Sequence, residues 1–450
     1  MPDSQELDDI LNEIKSMSSD NPDNDAKKSN VTKSDELNIN ELFSQPERKQ
    51  KAENTVEEKK QEKKTNNSKE GKKMPDKKKN APKKNKFAIF AAVAILAIVI
   101  ISVIVFIAKA RVDVEETTAP AITVTQAEVT EAELPKVNPL TGSADFNEKA
   151  VGRRPIACVV ENAQAARPQW GIADSTNPPD IIVEGEVEGG ETRMLFMYAD
   201  YTAVPSQIGP MRSARPPYIK FSELFDAIFI HWGMSQTKKG TAYIGANTVF
   251  RQDNVDHINQ MTYSGVALFG RDSSRGVSSE HTGVLYGAKI EEAIKGEGFR
   301  TEADNSHYTK FSFAQEESRV SDKDCSTLAL TFSNRTRTRD WTFSDEDKMY
   351  HSSDYKTDVA RKNLLVLFDT TEYISKPNYK GKYTEVYCNY NLAGGDGKLA
   401  TNGSVVDIKW SVENGVLVIK DAQGNNVNFN VGTTWIGYAS SNNGGSVTAE

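Results

Sequence analysis

The sequence predicts an α/β (or α+β) N-terminal extracytoplasmic domain followed by a mostly antiparallel β domain, carried on a single transmembrane helix behind a disordered N-terminal tail. Three observations lead there. The run Phe87 to Ala108 holds 22 residues with no charge and one hydroxyl, Ser102, which as a helix reaches roughly 33 Å and spans a hydrocarbon core. Between Arg154 and about residue 307, short β-rich runs such as PIACVVE, DIIVEGEVE and TRMLFMYAD alternate with helix-like ones such as VLYGAKIEEAIKGEGF, the pattern of an α/β fold. From Lys310 to about Ser441 strand signals dominate, as in STLALTFS, NLLVLFDT and SVVDIKWSV, separated by Gly, Asn and Asp turns.

The average composition, 38% hydrophobic and 26% charged with net charge -8, hides strong segregation along the chain. Residues 1–86 read as a disordered cytoplasmic tail with too little apolar surface to fold alone. Residues 1–46 carry eleven acids against four Lys, and residues 47–86 carry sixteen Lys or Arg against seven acids. Orientation follows from this bias. Gly71 to Lys86 holds eight Lys and one acid, whereas Asp113, Glu115 and Glu116 follow the apolar run, so the tail stays in the cytoplasm and the remainder lies outside. Leader and run are both too long for a cleaved signal peptide, so 87–108 reads as a signal-anchor in a cell membrane, crossing it once. Within the tail, the short amphipathic segment 6–17 sets Leu7, Ile10, Leu11, Ile14 and Met17 on one helical stripe. A helix this short is marginal alone, which points to a cytoplasmic partner or the membrane surface as its dock. Residues 109–137, rich in Thr, Ala, Pro and Glu, form an extracytoplasmic stalk.

Folded sequence begins near Asn138, with an N-terminal domain over 138–308 and a β-rich domain over 309–443. The run Ile181 to Arg193, IIVEGEVEGGETR, is the most informative piece. As a strand it puts Glu184, Glu186 and Glu188 on one face, and Gly189-Gly190 suits a two-residue hairpin turn that sets Glu186 opposite Arg193. Glu161 and Asn162 end another strand, Arg167 follows, and Arg212 and Arg215 lie in a Gly/Pro-punctuated loop. His231 closes the strand AIFIHWG, where its side chain is expected to project into a cleft, and His281 precedes a helix-like stretch. Cys158, Cys325 and Cys388 all lie on the outer side; Cys158, in IACVV, reads as a buried small hydrophobe.

These elements resemble, in order and wording, the YerB-like family of bacterial envelope proteins, a two-domain family that bears the label of unknown function. The resemblance covers roughly Asn138 to the end. It rests on Asn138-Pro-Leu-Thr-Gly142, Arg154-Pro-Ile-Ala157, Val160-Glu-Asn162, Ala166-Arg-Pro-Gln169, Val187-Glu-Gly-Gly190, Ile208-Gly-Pro210, Arg212-Ser-Ala-Arg-Pro216, Asp226-Ala-Ile228 with His231, Lys409-Trp410 and Gly432-Thr-Thr-Trp-Ile436. Two departures stand out: Glu186 occupies an expected Pro position, and a membrane helix with a long tail replaces the family's lipoprotein anchor. The resemblance implies a domain plan outside the membrane but no reaction.

Chemistry therefore rests on residue types. Glu161, Asn162, Arg167, Arg193, Arg212, Arg215, His231 and His281 are the expected ligand-binding set, since Arg forks hold carboxylate or phosphate bidentately. The favoured reading is a module that binds an anionic envelope ligand such as a peptidoglycan or teichoic fragment. Arg193, Arg212 and Arg215 keep their charge at any accessible pH, so they are neutralised internally or wait for an anion, and this reading expects the second. One alternative is an envelope hydrolase using Glu184 or Glu188 as acid or base, with His231 a further catalytic candidate. Another is a non-catalytic scaffold linking envelope and cytoplasmic partners, in which these charges weld the fold. No P-loop, nucleophile elbow, H-E-x-x-H or C-x-x-C is present, so no metal or cofactor is expected, nor a specific nucleic acid.

Overall fold

The computed structural model describes residues 136–304, 308–378 and 381–450. The tail with its segment 6–17, the apolar run 87–108 and almost all of the stalk lie outside these residues, as does the topology drawn from them. Among the described residues no helix is long and apolar enough to cross a membrane.

Ten strands build one sheet: Ile156–Glu161 (β1), Ile181–Glu186 (β2), Thr192–Tyr198 (β3), Ile228–His231 (β4), His257–Asn259 (β5), Asn363–Asp369 (β6), Gly395–Thr401 (β7), Ser404–Glu413 (β8), Val416–Asp421 (β9) and Thr434–Ser440 (β10). Their spatial order is β9-β8-β7-β6-β10-β2-β3-β1-β4-β5. The strands β1, β2, β3 and β10 are buried at every position. That is why, Glu184, Glu186 and Arg193 apart, they read as apolar runs without alternation: a central strand covered on both faces has no solvent side.

The two halves are joined through the sheet. β10, from the C-terminal half, lies parallel to both β6 and β2, with Glu184 level with Gly437. The two halves thus share one hydrogen-bonded sheet across the boundary expected at 308/309. Each half alone would leave an exposed edge there, with a row of unpaired backbone donors and acceptors.

The described chain is strand-rich, and its N-terminal half is less helical than the alternation of motifs suggested. Its α-helices are the eight-residue segments Pro216–Glu223 (α1), Ala246–Asp253 (α2) and Ile290–Glu297 (α3). Two prolines preset the first turn of α1, and Asn254 and Gly298, both left-handed, end α2 and α3. One face of the sheet packs Ile181, Val183 and Leu195 against Phe221, Phe225 and Phe250 of the α1/α2 region. The other packs Ile182, Phe196 and Trp435 against α3 and against a five-stranded antiparallel sheet that includes Thr338–Ser344 and Met349–Ser352. The three cysteines are buried and free, as expected for Cys158.

The β2–β3 hairpin turns at Gly189-Gly190, both with positive φ (71° and 78°), the conformation that favours glycine. Its register differs from the expected one by a residue. Val187 N–H donates to the Glu191 carbonyl, so one extra residue bulges out and Glu186 pairs with Thr192, leaving Arg193 opposite Gly185. A bulge re-aims the side chains beyond it. Glu188 consequently leaves the line of Glu184 and Glu186.

Candidate functional site

The glutamates and arginines singled out in the sequence fall into three groups. The first is sealed. Glu184 is 0% exposed, and its Oε1 accepts from Arg339 Nε (2.7 Å), Asn162 Nδ2 (2.8 Å) and Thr192 Oγ1 (2.8 Å) while Oε2 accepts from Tyr355 Oη (2.7 Å) and Trp435 Nε1 (3.3 Å). Arg167 extends the network by donating to the Asn162 side chain and backbone. Burial opposes the charge of Arg339, but Glu184 beside it holds its pKa above the ordinary value; Arg167, buried and near Arg339, is shifted down. Every lone pair of Glu184 is engaged, so it cannot take the expected acid or base role. Arg339, which sequence reasoning missed, lies 155 positions away on another sheet.

The second group centres on Glu188. Arg215 Nε donates to its Oε2 (2.9 Å), Arg215 Nη2 also meets Oε1, and Arg193 Nη2 lies 3.2 Å from Oε1. Burial alone would raise this carboxyl, yet the guanidiniums of Arg215 and Arg193 hold its pKa at about 2. Burial and the nearby Arg215 in turn lower Arg193 to about 10. Both arginines are thus paired with Glu188, whose single charge offsets one of the two, and both are largely buried. Glu186, one turn of the pleat away, accepts from Tyr373 Oη (2.7 Å) and faces Arg335 at 3.8 Å.

His231 joins neither group. It is 0% exposed, because α2 lays Phe250 over its ring and β5 brings His257 alongside. This corrects the expectation of a side chain projecting into a cleft: the strand end is covered. Its Nδ1 meets the Gly233 carbonyl at 2.6 Å and its Nε2 meets His257 Nδ1 at 3.0 Å. Burial, together with His257, lowers its pKa to about 3.

The third group is the one with an open side. Glu161 ends β1, and the loop after Pro210 runs beside it, since Glu161 N–H donates to the Pro210 carbonyl and Arg212 N–H to that of Val159. Arg212 Nε thereby reaches Glu161 Oε1 at 3.2 Å with 29% of its side chain exposed. His281, in a 3-10 turn (Ser279–His281) ahead of a strand rather than a helix, places Nδ1 2.9 Å from Glu161 Oε2. Behind them Gln169 Nε2 donates to the Glu161 carbonyl at 3.0 Å, while its buried Oε1 has no hydrogen-bond partner.

Two further arginines border this group. Arg271 lies over the Trp232 ring at 4.7 Å, and Arg275 lies over the Trp170 ring at 3.4 Å while donating to the Ala166 carbonyl. Sequence reasoning passed over all four; the run Arg271-Asp-Ser-Ser-Arg275 was the available signal. The result is a patch in which Arg212, Arg271 and Arg275 surround the buried Glu161, with His281 beside it and two acids, Glu280 at 3.7 Å from Arg212 and Asp272 near Arg275, on its exposed side. Its guanidiniums can hold an anion. Among the described residues no group of three His, Cys, Asp or Glu is placed to hold a metal ion.

Residues 140–300 match the family described as "Protein of unknown function (DUF3048) N-terminal domain", and residues 328–436 match its C-terminal domain. The chain is 28% identical over 309 residues to "Putative lipoprotein YerB" of Bacillus subtilis (strain 168), covering 66% of this chain and 84% of that one. The crystal structure of the YerB protein from Bacillus subtilis superposes with a TM-score of 0.54 at 25% identity, over 69% of this chain and 99% of that chain.

Proposed function

Because the chain belongs to the YerB-like family, with both the N- and C-terminal DUF3048 domains, we propose that it is a membrane-anchored extracytoplasmic envelope protein whose N-terminal half holds an anionic envelope ligand at the Arg212 patch. The relative named as a lipoprotein supports the location, and the run 87–108 supports a single-pass anchor with the N-terminus in the cytoplasm. In this reading segment 6–17 docks a cytoplasmic partner.

The observation that carries the binding role is the state of Arg212. Unlike Arg193 and Arg215, which are 9% and 11% exposed, it keeps 29% of its side chain open; besides the buried Glu161 it meets the solvent-exposed Glu280, at 3.7 Å, which an incoming anion can displace. Arg271 and Arg275 add two more guanidiniums, whose forks fit phosphate or carboxylate oxygens. The hydrolase reading is less favoured, since Glu184 is saturated by five hydrogen bonds and both oxygens of Glu188 are engaged by arginines. Calorimetric titration of the full chain with short poly(glycerol phosphate) and with muropeptides tests the proposal. One of these anionic fragments should bind, an uncharged chitotetraose should not, and Arg212→Ala should weaken binding by about tenfold or more, the loss of one charge-assisted hydrogen bond. No heat with either fragment, or an unaltered affinity in Arg212→Ala, would refute it.

A further inference from the structure

Beside α1 and α2 lies a cavity of about 530 Å³, within the size range of small-ligand sites. It is drawn from both halves of the chain: Lys220 and Glu223 on α1 and Asp253 on α2, together with Leu392 and Val412 from the C-terminal half. None of these residues belongs to the Arg212 patch.

Its charges are almost, but not fully, matched. Arg154 reaches Asp226 at 3.2 Å and also binds Asp256. Arg300 grips both oxygens of Asp226 (2.8 and 2.6 Å), and Lys220 holds Asp253. The lining therefore sets four carboxylates, Glu223, Asp226, Asp253 and Asp256, against three cations, Arg154, Lys220 and Arg300. Glu223 is the one left over. Its carboxylate makes no hydrogen bond among the described residues, its closest cation is the Lys220 Nζ at 3.9 Å that already serves Asp253, and 32% of its side chain is open. Leu224, Val255, Leu392 and Val412 supply an apolar wall to the same cavity.

A spare carboxylate beside an aliphatic wall suits an ammonium on a hydrocarbon stem, which buries its methylenes and presents three donors at its end. We propose that this cleft is a second binding site, for a primary alkyl ammonium such as a lysine side chain in a peptide, with Glu223 as the counter-charge. Burial, opposed by Lys220 and reinforced by Asp253, lifts Glu223 to about 7. Binding selects the ionised form, so affinity rises as pH climbs through neutrality. The groups facing Glu223 are Lys220 on its own helix, Asp253 on α2, and Arg154, Asp226, Asp256 and Arg300 on the neighbouring segments; Asp, Lys and Arg ordinarily titrate outside pH 6 to 8.

The test titrates the full chain, in a non-ionic detergent, with N-acetyl-lysine methylamide against its uncharged norleucine analogue, read by ligand-observed NMR. The lysine derivative should bind and the norleucine derivative should not, with affinity rising about tenfold from pH 6 to pH 8, as ionisation of a group near 7 requires. Glu223→Gln should melt as the parent does and lose both the binding and its pH dependence, and Val412→Trp, filling the cleft from its apolar wall, should lose the binding too. Arg212→Ala should retain it, which separates this site from the anionic one. Equal binding of the two probes, absence of binding, a flat pH profile or an unaffected Glu223→Gln would overturn the proposal.

Discussion

Glu184 and Glu161 sit on the two strands that flank β3, nearly level with each other: Glu184 pairs with Met194 and Glu161 with Arg193. One residue of offset on β3 puts them on opposite faces of the sheet. Glu184 faces the layer built by the five-stranded sheet, which delivers Arg339 and closes over it. Glu161 lies where the sheet ends among loops, and its partners Arg212 and His281 keep 29% and 13% of their side chains exposed. Both sites look alike as residue types, a glutamate with arginines nearby. The layer above each decides whether the cluster welds the fold or is open to a ligand, because a dry, saturated carboxylate has nothing left to offer.

The largest effect should come from breaking the sealed cluster. Arg339→Met leaves Glu184 charged and buried without its cation, and should cost 3–5 kcal/mol, roughly the range for a broken buried pair, as measured by urea unfolding of the full chain. A loss below about 1 kcal/mol would mean that Glu184 reaches water, and the contrast with Glu161 would collapse. Arg215→Ala should follow at about 3 kcal/mol, because Arg193 remains to hold Glu188; if stability is unchanged while ligand affinity falls, Arg215 belongs with Arg212 instead.

Acid should expose the third difference. His231 is lowered to about 3 in the folded chain against about 6.5 when unfolded, so the unfolded state binds the extra proton and stability falls as pH drops from 6.5 towards 3. By pH 5 this amounts to about 2 kcal/mol. Glu188, depressed to about 2, adds a loss confined to pH below about 4.5. Compared with the parent, His231→Gln should therefore lack this acid loss between pH 6.5 and 5, where raised carboxyls such as Glu223 act in the opposite sense, and should keep the drop below 4.5; the same slope in both chains over the upper window would show that His231 is not its source. The smallest effect belongs to the open patch. Arg212→Ala should shift stability by less than about 1 kcal/mol, as partly solvated pairs do, and a loss of 3 kcal/mol would move Glu161 into the structural class with Glu184.

Part of the candidate site consists of residues that stood out in the sequence: Glu161 at a strand end, Arg212 in a Gly/Pro-punctuated loop and His281 ahead of a helix-like stretch, the places where binding groups concentrate. The same rule failed at His231, since the strand end it closes is capped by Phe250, from a helix whose docking no local pattern announces. It failed at Glu188 for a different reason. The glycine pair gave the turn, but the carboxylate is re-aimed by the bulge at Val187, and Glu188 itself forms a β-bridge with Tyr387, some 200 positions away. Arg271 and Arg275 were overlooked because a surface loop with two arginines ordinarily means solvated charge; only the rings of Trp232 and Trp170 beneath them give it a place.

By itself the sequence determined what depends on neighbours along the chain: which runs become strands, since strands covered on both faces read as mainly apolar runs; where α3 stops, since Gly298 takes the left-handed turn; and the family, since its motifs recur in order. Tertiary structure alone decided that β10 would bridge the two halves into one sheet, that Arg339 rather than Arg193 would neutralise Glu184, and that Glu223 would be left the unmatched acid of the cleft. Pairing between distant strands and the matching of buried charges are settled by which surfaces meet, and no local pattern encodes that.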